Sequence, residues 1–339
     1  HRFPLGFSGY AVVCWRSVKF QPYFTALASN EGYTWWSHDI GGHLFGRGNE
    51  ELYLRWLQFG VFSPINRLHS NNKAWSKEPW LYPHVESIAE DYMRLRHRLL
   101  PYLYTANVLT AKEGIPLVAP MYYYNKDEAN AYSKKYRNQY YFGGQLLVSP
   151  IVNASDKKIG FSMSKALLWL PEGEWYSFFS GLRHEGENES VMYCSLDRYP
   201  VFAKAGAIIP MLAERKGNST DFDELEIRVF PGENEYTMYD EQGSITFNLE
   251  KTPEGYALHV APSDDVITKK LKIVMMAHVQ DEIKYTLSCD GAVSDTDNEI
   301  TIDCKPATVL FKREKFDLYS EAYDALRDGR GDALSTDNT

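Results

Sequence analysis

Between Tyr33 and His43 the chain reads Tyr-Thr-Trp-Trp-Ser-His-Asp-Ile-Gly-Gly-His, its densest gathering of groups able to hold a ligand. An apolar run that ends in His38 and Asp39 and turns on Gly41-Gly42 has the form of a strand delivering a carboxylate to one end of a parallel sheet. That end is where (β/α)8 barrels place their working groups, which makes Asp39 the leading ligand contact; capping the next loop or pairing with a cation is the structural alternative. Pro64-Ile-Asn-Arg-Leu-His-Ser-Asn71 repeats the arrangement one unit further on, so Arg67 and His69 should rise from the same face. His69 can donate to a substrate hydroxyl, or it can simply be hydrogen-bonded within the fold. His38, Asp39 and His43 spell H-D-x-x-x-H across a glycine turn, which fits no ligand helix, so neither a metal nor a cofactor is expected.

Other chemical templates fail. Gly6-Phe-Ser-Gly-Tyr10 lacks the glycine spacing of a nucleophile elbow, and neither a phosphate-binding loop nor a dinucleotide fingerprint occurs. Cys14, Cys194, Cys289 and Cys304 have no paired or metal-type spacing, so at most a Cys289–Cys304 bridge is open to them. Three glycosylation sequons begin at Asn153, Asn188 and Asn218, and they matter only in a secreted eukaryotic chain.

The elements that must position these groups alternate in type. Phe20–Asn30 reads as a helix, Tyr33–Ser37 as a buried strand, and Asn49 as the cap of a helix carrying Tyr53, Trp56 and Leu57, with Val61–Ile65 the next strand. This βαβ rhythm implies a parallel sheet or a (β/α)8 barrel. Apolar residues from Val85 to Ala111 step by three or four, predicting a long helix kinked at Pro101 and ended by Gly114. Beyond Leu117 the period becomes two. Short strands at 145–152, 166–170, 201–209, 225–230, 245–249, 255–260, 271–276, 283–287 and 300–304 predict β-sandwiches, divided by the polar stretch Ala213–Asp223. The fold class is therefore α/β plus all-β. The expected units are barrel residues 1–116, a proximal β-sandwich at 117–212, a distal one at 213–313 and a polar tail at 314–339.

Composition bounds the partners. With 36 basic and 45 acidic residues the net charge is −9, which argues against binding to a nucleic-acid backbone or an anionic membrane. No apolar run approaches a membrane span, and a first residue His1 rather than Met suggests a fragment or processed chain. Aromatic residues make up 14% of the chain, enough to supply stacking surfaces for sugar-like faces as well as a tyrosine-rich set of strands.

An ordered series of motifs resembles glycoside hydrolase family 31, the α-glucosidase and α-xylosidase family. It comprises Gly6-Phe-Ser-Gly9, Phe20-Gln-Pro-Tyr-Phe24, Trp35-Trp-Ser-His-Asp-Ile-Gly-Gly42, Phe59-Gly-Val-Phe-Ser-Pro-Ile-Asn-Arg-Leu-His-Ser70 and Glu78-Pro-Trp80. It continues through Leu99-Leu-Pro-Tyr-Leu-Tyr104, Leu146-Leu-Val-Ser-Pro150, Leu170-Pro-Glu-Gly-Glu-Trp-Tyr176 and Pro200–Pro210. The resemblance implies the C-terminal half of a (β/α)8 barrel followed by two β-sandwich domains, and a retaining exo-α-glycosidase acting on carbohydrate with a terminal α-linked sugar. It implies that Asp39 and His69 contact the sugar in the −1 subsite, walled by Trp35, Trp36 and Phe7, while Arg67 braces the strand end. It also implies that the aspartate nucleophile lies in an N-terminal half-barrel absent from this sequence, a missing partner for the sheet edge. Where the family usually carries an acid/base aspartate, this chain has Tyr10. A phenol of ordinary pKa about 10 is a poor base at neutral pH, so the chain alone is expected to be inactive.

Overall fold

The computed structural model describes residues 5–46, 49–70, 76–156, 163–213, 221–278 and 283–315. Most of the expected divider at 213–223, most of the polar tail, and the sequon at Asn218 lie outside the described residues.

The N-terminal part is built as β1 (Leu5–Phe7), β2 (Val12–Val13), α1 (Trp15–Asn30), β3 (Trp35–Ile40), β4 (Leu44–Gly46), α2 (Glu50–Val61) and β5 (Ile65–Leu68). β3 lies between β1 and β5, parallel to both, with Phe7 opposite Ser37 and Asp39 opposite Arg67. Helices α1 and α2 are the crossovers. Asn49 caps α2 as its type predicts, its side-chain oxygen accepting from the Leu52 amide at 2.8 Å. The strand expected at Val61–Ile65 is displaced: helix α2 runs through Val61, and β5 begins at Ile65. Every residue of α2 from Leu52 to Val61 is buried, so the apolar run continued a helix enclosed on all sides.

The long helix is two helices, α3 (Glu86–Arg98) and α4 (Leu100–Glu113). Pro101, lacking an N–H, sits in the first turn of α4, and Gly114 closes that helix in the left-handed conformation at φ 74°. Arg96 of α3 reaches back to donate to the carbonyls of Val61, Ser63 and Pro64, fixing the loop that leads into β5.

The next sheet has six antiparallel strands, ordered Arg183–Glu185, Glu174–Ser177, Val201–Lys204, Leu146–Val148, Tyr140–Phe142 and Val118–Pro120. Its alternate residues serve two cores. Tyr140, Phe142, Leu146, Val148, Val201 and Ala203 pack into one continuous core with α2, α3 and α4. Tyr141, Leu147, Trp175 and Phe202 face the other way, against Leu168 and Trp169 of the antiparallel pair Ser164–Leu170/Asn188–Cys194.

A four-stranded and a six-stranded sheet then enclose a separate core that includes Leu225, Ile227, Phe247, Leu271, Leu287 and Phe311. Strand Ile208–Leu212 belongs by pairing to the four-stranded sheet, so the unit boundary expected after residue 212 falls on the far side of a strand already committed to the distal sandwich. That strand serves both bodies, with Ile209 and Met211 in the first core and Ile208 and Leu212 in the distal one. All four cysteines are free, so the Cys289–Cys304 bridge does not form. Among the described residues no helix is long and apolar enough to cross a membrane.

Candidate functional site at the ends of the parallel strands

Alternation along β3 sends Trp35, Ser37 and Asp39 to one face and Trp36, His38 and Ile40 to the other. The register puts Phe7, Ile65 and Arg67 on the face that carries Asp39. After Ile40, Gly41 and Gly42 take φ of 86° and 80°, which folds the chain back so that the Gly42 amide donates to the Asp39 carbonyl at 2.9 Å. The fold-back brings His43 against Asp39, and the amides of His43 and Leu44 both donate to the Ala11 carbonyl.

The result is a compact polar cluster. Asp39 is fully buried; one carboxylate oxygen lies 3.3 Å from an Arg67 Nη and the other 3.1 Å from His43 Nδ1. His69 joins from the end of β5, so that ligand-capable atoms of Asp39, His43 and His69 all lie within 4.8 Å of one another. The His43 and His69 rings stand 4.8 Å apart, and Tyr10 stacks on His43 at 4.0 Å. Phe7 meets the Tyr10 ring edge-on at 5.7 Å, and the Arg67 guanidinium sits over Phe7 at 5.2 Å. Tyr10 itself is 62% exposed.

The carboxylate thus meets Arg67 and His43 as close charge contacts, His43 at hydrogen-bonding distance. Ser37 Oγ and Trp35 Nε1 on the same strand face are buried without a hydrogen-bond partner. Trp36 Nε1 and His38 Nδ1 on the opposite face of β3 are buried without a partner as well, so what sets the Asp39 face apart is its charged cluster. Burial pushes the Asp39 carboxyl above its ordinary value, against the opposing pull of Arg67, His69 and His43.

The opposite face of β3 is packing. His38 Nε2 lies 2.6 Å from Thr25 Oγ1, whose hydroxyl is 2.9 Å from the Gln21 carbonyl; burial drives the ring's pKa down to about 3, so it stays neutral. Trp36 is on this side, against Phe24 at 5.2 Å and over Gly6, where any Cβ would strike its ring. The expectation that Trp36 walls the sugar pocket is therefore corrected: strand alternation turns it toward α1, away from Asp39. Phe7, Trp35, Asp39 and His69 share the other face, and Tyr10 stands at its rim. The sequence reading gave His43 no role beyond a rejected metal pattern. Its signal was the four-residue step from Asp39 over two glycines, which returns the chain to the carboxylate.

Comparison with known proteins gives the family. Residues 1–106 match the family described as glycosyl hydrolases family 31 TIM-barrel domain, and residues 114–209 match its C-terminal domain. An alpha-xylosidase of Saccharolobus solfataricus is 31% identical over 255 residues, covering 73% of this chain and 33% of its own length. Alpha-glucosidase 2 of Bacillus thermoamyloliquefaciens is 28% identical over 217 residues, covering 63% of this chain and 26% of its own. The cycloalternan-forming enzyme of Listeria monocytogenes, solved with a pentasaccharide substrate, superposes with a TM-score of 0.77 at 25% identity over 92% of this chain and 32% of that one. The chain thus spans a quarter to a third of the length of these curated relatives. Its architecture is α/β plus all-β, with β1, β3 and β5 a portion of a TIM barrel and the β-sandwich domains following.

Proposed function

This chain belongs to glycoside hydrolase family 31, and from that premise we propose that it supplies a sugar-binding wall of an α-glycosidase site, taking terminal α-linked sugars. The observation that carries the reading is the buried Asp39 carboxylate at the strand ends, flanked by Arg67, His43 and His69. Sugar hydroxyls donate and accept at once, so a pyranose can donate to Asp39 and accept from a ring nitrogen of His69. Phe7 and Trp35 offer apolar ring faces beside them. Within this reading residues 1–116 are the barrel part, 117–212 and 213–313 the two sandwiches, with Ile208–Leu212 shared between them, and 314–339 a tail.

Retaining hydrolysis needs two carboxyl groups about 5–5.5 Å apart, one to attack the anomeric carbon and one to exchange the proton. Strands β1, β3 and β5 carry one carboxylate, Asp39, and Tyr10 holds the acid/base position. The chain therefore binds sugar without cleaving it unless both acids come from elsewhere in an assembled protein. Tyr10, exposed and stacked on His43, favours a second reading, a catalytically silent carbohydrate-binding or scaffold relative.

Calorimetric titration of the full chain with glucose, xylose, N-acetylgalactosamine and maltose tests the shared core of both readings. Saturable heat in the millimolar range is expected with one of them, and Asp39→Asn and His69→Ala should each remove it. No heat from any sugar would overturn the proposal. Turnover of an aryl α-glycoside by the chain would exclude the silent relative.

A further inference from the structure

A second place on the chain gathers charge of a single sign. Lys19 of α1, residues 134–139 leading into strand Tyr140–Phe142, residues 149–153 following strand Leu146–Val148, and Lys165 of strand Ser164–Leu170 contribute to a cleft of about 440 Å³. Five of the fourteen described residues that line it are basic and none is acidic, although the whole chain carries 36 basic and 45 acidic residues. None of Asp39, His43, Arg67 and His69 lines it. We propose that this cleft is a second ligand site and that it takes an anionic sugar, a hydroxyl-bearing ring carrying a carboxylate or a phosphate. This inference does not rest on the sugar reading of Asp39.

The cations are positioned by their neighbours. Lys19 Nζ donates to Asn153 Oδ1 at 3.5 Å, and the Arg137 guanidinium lies 5.2 Å over the Tyr23 ring. Lys135 pairs with Glu189 at 2.6 Å, and the same carboxyl group accepts from the Tyr136 hydroxyl and the Asn130 amide, which ties down the stretch 134–139. Glu189 is thereby committed to Lys135. Among the described residues Lys19, Lys134, Arg137 and Lys165 have no carboxylate partner, so an anion from solution is what offsets their mutual repulsion.

Size and polarity select the ligand. The cleft lies in the volume range of small-molecule sites and exceeds what one bare oxyanion can fill. Its neutral groups suit hydroxyls. Asn138 Oδ1 is buried without a hydrogen-bond partner and can accept from one hydroxyl, while the Asn153 amide nitrogen can donate to another. Neutral glucose could meet these amides but would leave the cations unanswered, so charge sets the preference.

The test uses the full chain carrying Asp39→Asn, so that sugar held at the ends of β3 and β5 does not contribute. Calorimetric titration with glucuronate and with glucose 6-phosphate should show one site per chain, about 10-fold or more tighter than glucose and weakened as NaCl rises from about 20 to about 200 mM. Adding Lys134→Gln and Lys165→Gln, both at exposed positions, should weaken these anionic sugars by about 10-fold and leave the melting temperature unchanged. Inorganic phosphate should bind more weakly than glucose 6-phosphate. Equal binding of the two would make the cleft an inorganic-anion site and overturn the sugar assignment. Absence of anionic-sugar binding, or binding undiminished by the two lysine substitutions, would overturn the site itself.

Discussion

Arg55 and Asp39 are both fully buried charges in the barrel part, and they are treated in opposite ways. Both terminal nitrogens of Arg55 are saturated, and its Nε alone is buried without a partner. They donate to Gln58 Oε1, Ser164 Oγ and the carbonyls of Cys194, Ser195, Leu196 and Arg198, at 2.8–3.3 Å. Glu51 closes the same group by accepting from Ser164 Oγ, Ser155 Oγ and the Ser155 amide. Asp39 is met by two side chains, Arg67 at 3.3 Å and His43 at 3.1 Å. One charge has many partners inside the fold and joins α2 to the β-region; the other has two, and on the proposed reading is held for a sugar hydroxyl. Burial of a charge therefore says little about its role, whereas the state of its hydrogen bonds says much.

The comparison breaks most readily at Arg55. Arg55→Met should destabilise the chain by about 3–5 kcal/mol, because four carbonyls and the Glu51 carboxylate lose a buried cation. Urea unfolding would show it as a lower midpoint. A loss below ~1 kcal/mol would mean that Arg55 is not the joint between α2 and the sheet.

His38 sharpens the comparison from the other face of β3, as a buried titratable group belonging to packing. Its folded pKa is near 3 against an ordinary 6.5. The unfolded chain therefore takes up a proton that the folded one refuses, and stability is lost as pH falls from 6.5 toward 3. By pH 4.5 this amounts to ~2–3 kcal/mol, which His38→Gln should not lose. Unfolding free energies of both proteins from pH 7 to pH 4.5 would test it; parallel curves would contradict the assignment of His38 as buried and neutral.

How much of this could be read from sequence depended on whether burial was one-sided. Asn49 and Gly114 announced the cap and the stop of their helices because single-residue chemistry fixes those positions. Strands 244–252, 255–262 and 270–275 were legible because one face of each is wetter than the other. Tyr140–Phe142 escaped because it is buried on both faces, between two cores, and leaves no period of two. The displacement of β5 has the same cause. In the site, the placement of Asp39 and His69 at strand ends was legible, whereas the side to which Trp36 turns required the strand's true limits, Trp35–Ile40 rather than Tyr33–Ser37. His43 depended on the glycine turn bringing it back, which only coordinates display.

Gly42 tests whether that turn builds the site. At φ 80° any side chain is strained, and a Cβ would lie 2.9 Å from the Val13 backbone. Gly42→Ala should cost ~1–2 kcal/mol in unfolding free energy. It should also weaken sugar binding by moving His43 off Asp39. Unchanged sugar titration in this variant would separate His43 from the site.

The smallest stability effect belongs to the other member of the pair. Asp39→Asn removes a buried charge whose cation, Arg67, is 40% exposed and can turn to water. At pH 7 the variant should lie within about 1 kcal/mol of the parent. The pH dependence gives the sign. Because the folded carboxyl titrates above its unfolded value, its favourable contribution is complete below the unfolded pKa and lost as pH rises through the folded one. Asp39→Asn should therefore gain on the parent between pH 4 and pH 7, as measured by paired urea unfolding. A variant that instead lost stability steadily over that interval would show Asp39 to be a structural anion like Glu51. The contrast with Arg55 would then disappear.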